Sequence, residues 1–580
     1  MKMKRLLSLL IVAVFVMSFF SACAQSGGSS AGDADSSKAS SAAVSKDEGE
    51  DSSAGGDENI QTPASDVVNG ETNQQSYPIV DEAVTLRLWY PMAVSLGELA
   101  DFNDGEFWQW YEEKTGIHID FVVPAAGSET DAFNLLFASD DMPDLLYTSP
   151  IASANAQTYR GGEDKAISDG YFIDMAEYLD YAPNYVSWLS NDEKISRDVY
   201  SDTGKMYGMW GIWDVLYDDK GVMPEYGISI RQDFLSKVNL DVPTTYDEWY
   251  TVLKAFKEEL GVEIPLYTSR YGIDIFGEFM AGYGTAPYFY QDGGTVKYGP
   301  LDDEYKEYLT MLNQWYSEGL LDTDFPTRNS TGYSPDDEVN LNDKVGAFCD
   351  WATRLSETYV SRGATNADYY LVAAEQPTKG DGSVPKYHFV TSDYGLNGHC
   401  MLISADSAYI EEAIRWNDGF YAEDIYLNAN YGLEEQEGTV WYAAEDGHRI
   451  GDYDFRYSNP DGLSSATVLV KYWTKNPPIR VEGAQIEQAD DNKQAAYETW
   501  AKYDSEWSIP TRTTMTSEES TSYSAVYTDI ETYVQECNVK FITGSMSLDT
   551  YDAYRDTLRE MGIEEAVAYR QAALDRYNAR

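Results

Sequence analysis

The chain is short of cysteine, histidine and positive charge. Its 580 residues include four cysteines and four histidines, and 41 Lys and Arg stand against 98 Asp and Glu, for a formal charge of -57. Cys23, Cys349, Cys400 and Cys537 contain no C-x-x-C pair, so at most one disulfide and no zinc site is expected. His118, His388, His399 and His448 form no H-E-x-x-H, and His399 beside Cys400 reads as structural, because neighbours in a strand point to opposite faces. The acidity repels phosphate backbones and anionic lipids, which removes nucleic acid as a partner and favours neutral or cationic ligands. G-x-S-x-G is absent, which argues against a serine hydrolase of the common α/β type. SDTGK, DDKG and NPDG are fragments without enough oxygen ligands in register for calcium, so neither metal nor cofactor is expected.

Long apolar runs are equally scarce. The one present is LLSLLIVAVFVMSFF, directly after the basic MKMKR. It is shorter than the roughly 20 residues a spanning helix needs, and a basic start followed by such a run is the layout of a secretory signal. The run ends in F-S-A-C, Phe20 to Cys23, which resembles the lipobox of bacterial lipoproteins, with Phe20 where Leu is usual. The resemblance implies removal of residues 1–22 and acylation of Cys23, whose chains, at about 0.8 kcal/mol per buried CH₂, would hold the protein on the outer face of the cell membrane. Ala24 to Ser76 are rich in Ser, Gly, Ala, Asp and Glu and nearly free of large apolar residues. Such a segment is expected to stay disordered, a linker with a reach on the order of 40 Å.

Aromatics are plentiful, at 47 Tyr, 20 Phe and 14 Trp, more than solubility requires, so some should line a site. The stretch from Tyr77 to Arg580 is too long for one core. AVTLRLWYP, IHIDFVVP and DLLYTS read as strands. Between them lie two helical patterns, one through Phe107, Trp110, Tyr111 and Lys114, the other through Phe133, Leu136 and Phe137 behind a Ser128/Asp131 capping-box spacing. The pattern restarts at VPTTYDEWYTVLKAFKEELG, with Thr244 as N-cap and Asp247 at the box position, then IPLYTS as a strand and a helix through Tyr308, Met311, Leu312 and Trp315. Two α/β lobes with parallel sheets are implied, with ligand at the carboxyl ends of the strands in the cleft between them.

DDMPDLLYTS, GKMYGMW, IRQDFLSKVNLDVPTTYDEW, KVGAFCDWATRL and the C-terminal IRWNDGFYAEDIYLNANYGLEE and FITGSMSLDTYDAYRDTLREMGIEEAVAYRQAALDRYN occur in an order that resembles the family 1 extracellular solute-binding proteins of ABC importers. The long, lipid-anchored sugar and oligosaccharide branch is the nearest in pattern, from about Thr85 to Tyr577. The resemblance implies a type II periplasmic-binding fold, α/β and two-lobed, whose chain crosses near Tyr207, Cys349 and Asn397. Lobe 1 would then combine residues 77–207 with 350–397, and lobe 2 residues 208–349 with 398–580. It also implies a monomeric carbohydrate receptor, partnered by permease subunits, that makes or breaks no bond.

A sugar offers hydroxyls in its ring plane and C–H groups on its faces, so its receptor needs aromatic platforms edged by polar groups. The candidates are Trp89, Tyr90 and Tyr147 at strand ends, Trp210 and Trp213 in GMWGIW, Asp350 and Trp351 after the second crossing, and Asp393 and Tyr394 before the third. Arg231 in IRQDFL matches a basic position of the family pattern; it would fork onto hydroxyls or an acidic sugar, or else pair with Asp233. Two other readings stay open at this point. The Tyr- and Trp-rich acidic chain would also suit quaternary amines or basic peptides. A secreted glycoside hydrolase needs a carboxylate pair, and no catalytic motif flanks one.

Overall fold

A computed structural model describes residues 75–580 apart from 94–95, 140, 151–156, 215–223, 225, 329–334, 336, 353–354, 356–362, 387–394, 434–440, 444–448, 452–464, 475, 482–490 and 505. The signal run, Cys23, most of the linker, Asp393 and Tyr394 lie outside the described residues. No described helix is long and apolar enough to cross a membrane.

The strands of the two main sheets are, in chain order, β1 (Val84–Trp89), β2 (Ile117–Val122), β3 (Leu145–Thr148), β4 (Met209–Asp214), β5 (Tyr226–Arg231), β6 (Ile264–Leu266), β7 (Val345–Trp351), β8 (Leu371–Ala373), β9 (Leu396–Ile403) and β10 (Ile479–Val481). The first sheet has the order β10-β4-β9-β3-β1-β2, and the second β8-β5-β7-β6. Each carries its own core. Leu86, Leu88, Leu145, Leu146 and Ile212 pack with Trp416 and Phe420 in the first, while Ile228, Ile230, Trp249, Phe256 and Trp315 pack in the second. The molecule is an α/β protein of two lobes.

Helix α1 (Glu106–Thr115) buries Phe107 and Tyr111 and stops at Gly116, whose φ of 77° suits a residue without Cβ. Helix α2 (Glu129–Leu136) starts at Ser128, but that hydroxyl bonds back to the Ala125 carbonyl, so the expected capping box does not form. In α3 (Tyr246–Glu258) the box lies one residue later than expected, with Thr245 as cap and Glu248 as its reciprocal partner, while Thr244 also donates to Glu248. Helix α4 (Asp303–Ser317) buries Tyr308, Met311, Leu312 and Trp315 as their spacing predicts.

The expected crossings move. Segment 209–214 hydrogen-bonds to β9, and β9 to β3, so both belong to the first sheet; Cys349 lies within β7, paired on either side with β5 and β6. The first lobe therefore takes residues 77–214 and 396–481. The second takes 226–373 and, through α5 (Asp491–Trp500), α6 (Ser517–Ile542), α7 (Tyr551–Glu560) and α8 (Ile563–Asn578), most of 491–580. Nor is the first sheet wholly parallel. β9 runs antiparallel to β3 and β4, as a strand must when it re-enters from the far lobe at the edge where its neighbours end.

Candidate functional site

The register of the strands defines one candidate edge in each sheet. β1, β3, β4 and β10 end at one edge of the first sheet and β9 begins there. In the second sheet β5 begins beside the ends of β7 and β8, with Tyr226 opposite Trp351 and Ala373 opposite Ser229. The chain passes between these two edges twice, from the end of β4 to the start of β5 and from the end of β8 to the start of β9. A ligand held between the lobes would meet the side chains placed there.

On the first lobe, Tyr147 stacks on His399, with centroids 4.9 Å apart and planes inclined by 22°. The Tyr147 hydroxyl donates to the Asn476 carbonyl at 2.8 Å, and Ser149 Oγ lies 2.8 Å from His399 Nδ1. Burial, with the nearby charge of Arg480, holds His399 down to about 4, so the imidazole is neutral at physiological pH. Trp213 lies directly across from Arg480 in the β4/β10 pair, and the guanidinium sits 4.4 Å from its ring. Asn397 bridges the Pro478 carbonyl and the His399 amide and fills the space above Gly211, where a Cβ would come within 2.2 Å of the amide.

On the second lobe, Trp351 meets Tyr226 edge-on at 5.4 Å, Tyr226 meets Phe276 at 5.6 Å, and Phe276 meets Tyr271 edge-on at 4.9 Å. Tyr226 is buried, and the other three are half-exposed on it. The result is a continuous aromatic wall. Phe276 closes a π-helix, Gly272–Phe276, a rare turn that is frequent at functional sites. Beneath it the buried Glu278 accepts from Thr268 Oγ1 at 2.7 Å and from the Cys349 thiol, and burial pushes its carboxyl up to about 7. Asp274, on the same turn, accepts from Asn538 at 2.9 Å and is pushed by burial to about 7.

Of the residues expected at a site, Tyr147, Trp213 and Trp351 stand at these edges, Trp351 half-buried and Tyr147 and Trp213 buried at 3% and 8% exposure. Trp89 is buried against Phe133, and Tyr90 against Phe102 and Phe121, so both serve the first core. Trp210 is fully buried beneath Arg512, whose guanidinium is 4.1 Å from its ring. Asp350 is buried, accepting from the Trp351 amide at 2.9 Å. Arg231 lies at the opposite end of β5, fully buried between Phe234 and Tyr369 at 3.8 Å each and paired with Asp233 and Asp343. Its guanidinium braces the lobe rather than meeting a ligand. Tyr226, Phe276, Tyr271, His399 and Arg480 were not expected. Cys349, Cys400 and Cys537 are buried free thiols, and the described residues hold no group of three or more His, Cys, Asp or Glu suited to a metal.

No family model matches the chain. It is 27% identical to lipoprotein LipO of Bacillus subtilis over 256 residues, 42% of this chain and 46% of that one, so this match spans about half of LipO. It is 21% identical over 505 residues, 83% of this chain and 88% of the relative, to the fructooligosaccharide ABC transporter substrate-binding protein FusA of Streptococcus pneumoniae. Among solved structures, an HMO-binding, ABC-transporter-associated solute-binding protein of Bifidobacterium longum infantis superposes with a TM-score of 0.68 at 18% identity, covering 86% of this chain and 99% of that one. The two-lobed fold is that of solute-binding proteins.

Proposed function

We propose that this chain, a relative of the substrate-binding proteins of ABC transporters, is an extracellular receptor that captures a carbohydrate, an oligosaccharide by preference, and hands it to an importer's permease. The observation that carries the reading is the pair of sheet edges between which the chain passes, with the wall of Trp351, Phe276 and Tyr271 on one lobe and the Tyr147–His399 stack with Ser149 and Arg480 on the other. Apolar faces for pyranose or furanose C–H groups and neutral donors and acceptors for hydroxyls are what a sugar requires. FusA's fructooligosaccharide supports the same class of cargo.

The site works by binding. Sugar held against both lobes stabilises the closed form by the difference between its affinities for closed and open states, and the permease reads that form. A neutral His399 offers one ring nitrogen as donor and the other as acceptor, and Ser149 on the Nδ1 side and the Thr148 backbone hold the ring in place at the edge. The acylation of Cys23 and the monomeric state belong to the same reading, the first supported by the F-S-A-C sequence and the match to LipO. Thermal-shift and calorimetric titration with a panel of neutral fructo-, galacto- and glucooligosaccharides is the test. Saturable binding to a member of the panel is expected; saturation by betaine or a basic peptide with none by any glycan would overturn the carbohydrate reading.

A further inference from the structure

The last seventy residues are built on the second lobe, yet they reach back to the first. Arg512, 3% exposed, forks onto Glu163 at 2.6 and 2.8 Å, donates its Nε to the Asp198 carbonyl at 2.7 Å and sits over the Trp210 ring at 4.1 Å. At the end of α8, the Tyr577 hydroxyl donates to Asp198 at 2.6 Å and accepts from Arg197 at 3.0 Å. Asp202 takes Arg576 Nε at 3.0 Å, Arg580 Nε at 2.8 Å and Thr514 Oγ1 at 3.0 Å, and Arg580 continues to the Tyr200 carbonyl. Glu163, Arg197, Asp198 and Asp202 all belong to the first lobe; Arg512, Arg576, Tyr577 and Arg580 belong to the C-terminal segment.

A lobe contact that parts with every cycle is expected to be wet and loosely paired. This one is closely paired about a buried centre, with Arg512 3% and Asp198 1% exposed. Separating it would strand Arg512, almost wholly buried, without its Glu163 counter-charge, and an uncompensated buried charge is among the costliest things a protein can hold; Asp198 keeps Lys194 on its own helix but would lose the Tyr577 hydroxyl. Its position also matters, because Trp210 lies on β4, the strand from which the first connection leaves. We infer that this Arg512-centred cluster is the pivot of the lobe motion: it stays closed in both open and closed states, and the lobes turn about it. The inference concerns the empty receptor and does not depend on which ligand is bound.

The test uses the full chain carrying Cys23→Ser, with Leu135→Cys on the first lobe and Tyr288→Cys on the second as dye positions, both exposed, while the native Cys349, Cys400 and Cys537 are buried. Single-molecule energy transfer is read without ligand in three variants. Arg512→Met and Asp202→Asn are expected to broaden the interlobe distance distribution at least twofold. Arg328→Met breaks a pair with Asp322 inside the second lobe and is expected to lower the melting temperature without broadening. The inference is overturned if the first two variants keep the parental width, or if Arg328→Met broadens as much as they do. Should Arg512→Met fail to fold, Asp202→Asn, which leaves the Arg512–Glu163 fork in place, decides alone.

Discussion

Glu278→Gln should make the protein more stable at pH 8 and flatten its pH dependence. The carboxyl lies under the π-helix that carries Phe276, with the Thr268 hydroxyl and the Cys349 thiol as partners and no cation among the groups acting on it. Burial raises it from an ordinary 4.5 to about 7. A carboxyl raised on folding costs nothing below its unfolded value, and stability is lost as pH climbs through its folded value. From pH 4.5 to pH 8 the penalty grows to about 3 kcal/mol, at about 1.4 kcal/mol per pH unit between the two values. Gln keeps an acceptor for Thr268 and loses about 1 kcal/mol on the thiol side, which leaves a net gain of about 2 kcal/mol at pH 8 and a small loss at pH 4.5. Urea unfolding at pH 4.5, 6, 7 and 8, followed by tryptophan fluorescence, measures both. Equal stability of parent and variant at pH 8, or parallel curves across the range, would refute the buried-carboxyl reasoning.

Trp351→Ala and Phe276→Ala should each weaken oligosaccharide binding by about 1–3 kcal/mol, a magnitude borrowed from aromatic stacking on planar bases, with far-ultraviolet circular dichroism unchanged; calorimetry reads the loss, and unaltered affinity in both removes the wall from the site. Arg231→Met should cost about 3 kcal/mol of stability, since buried Asp233 loses its fork and keeps only Asn366 and the longer Lys237 contact, while the affinity of the folded fraction is unchanged; a binding defect without destabilisation would return Arg231 to the site. Cys23→Ser should release the protein from cells into the medium, seen by blotting of the membrane and supernatant fractions, and full retention on the membrane would refute acylation at that sulfur.

Much of the architecture was legible because it is local. The strands at 84–89, 117–122 and 145–148 and the helices at 246–258 and 303–317 follow from apolar period and terminators in single stretches of sequence. The site was legible only in part. A strand end tells where the backbone stops, not which face is covered: Trp89 turns against Phe133 and Tyr90 against Phe102 and Phe121, while Tyr147, buried beside Tyr90, is placed by its other face against His399. His399 was set aside because it alternates with Cys400. The alternation holds, and for that reason the thiol is in the core and the imidazole is free to stack at the edge.

Other contacts left no trace in any window. Phe276 and Tyr271 reach Trp351 through a π-turn with no apolar period, and Arg512 meets Glu163 from 349 residues away. The misplaced crossings have the same origin. Whether segment 209–214 belongs to one sheet or the other is decided by its pairing with β9, nearly two hundred residues downstream, which no local signal encodes.

The central claim, that two lobes grip a sugar and leave it intact, is tested most directly by incubating the purified protein with its best-bound oligosaccharide and following small-angle scattering and chromatography on one sample. A saturable fall in radius of gyration with the oligosaccharide recovered whole is expected. Cleavage products, or saturation with no change in dimensions, would contradict it.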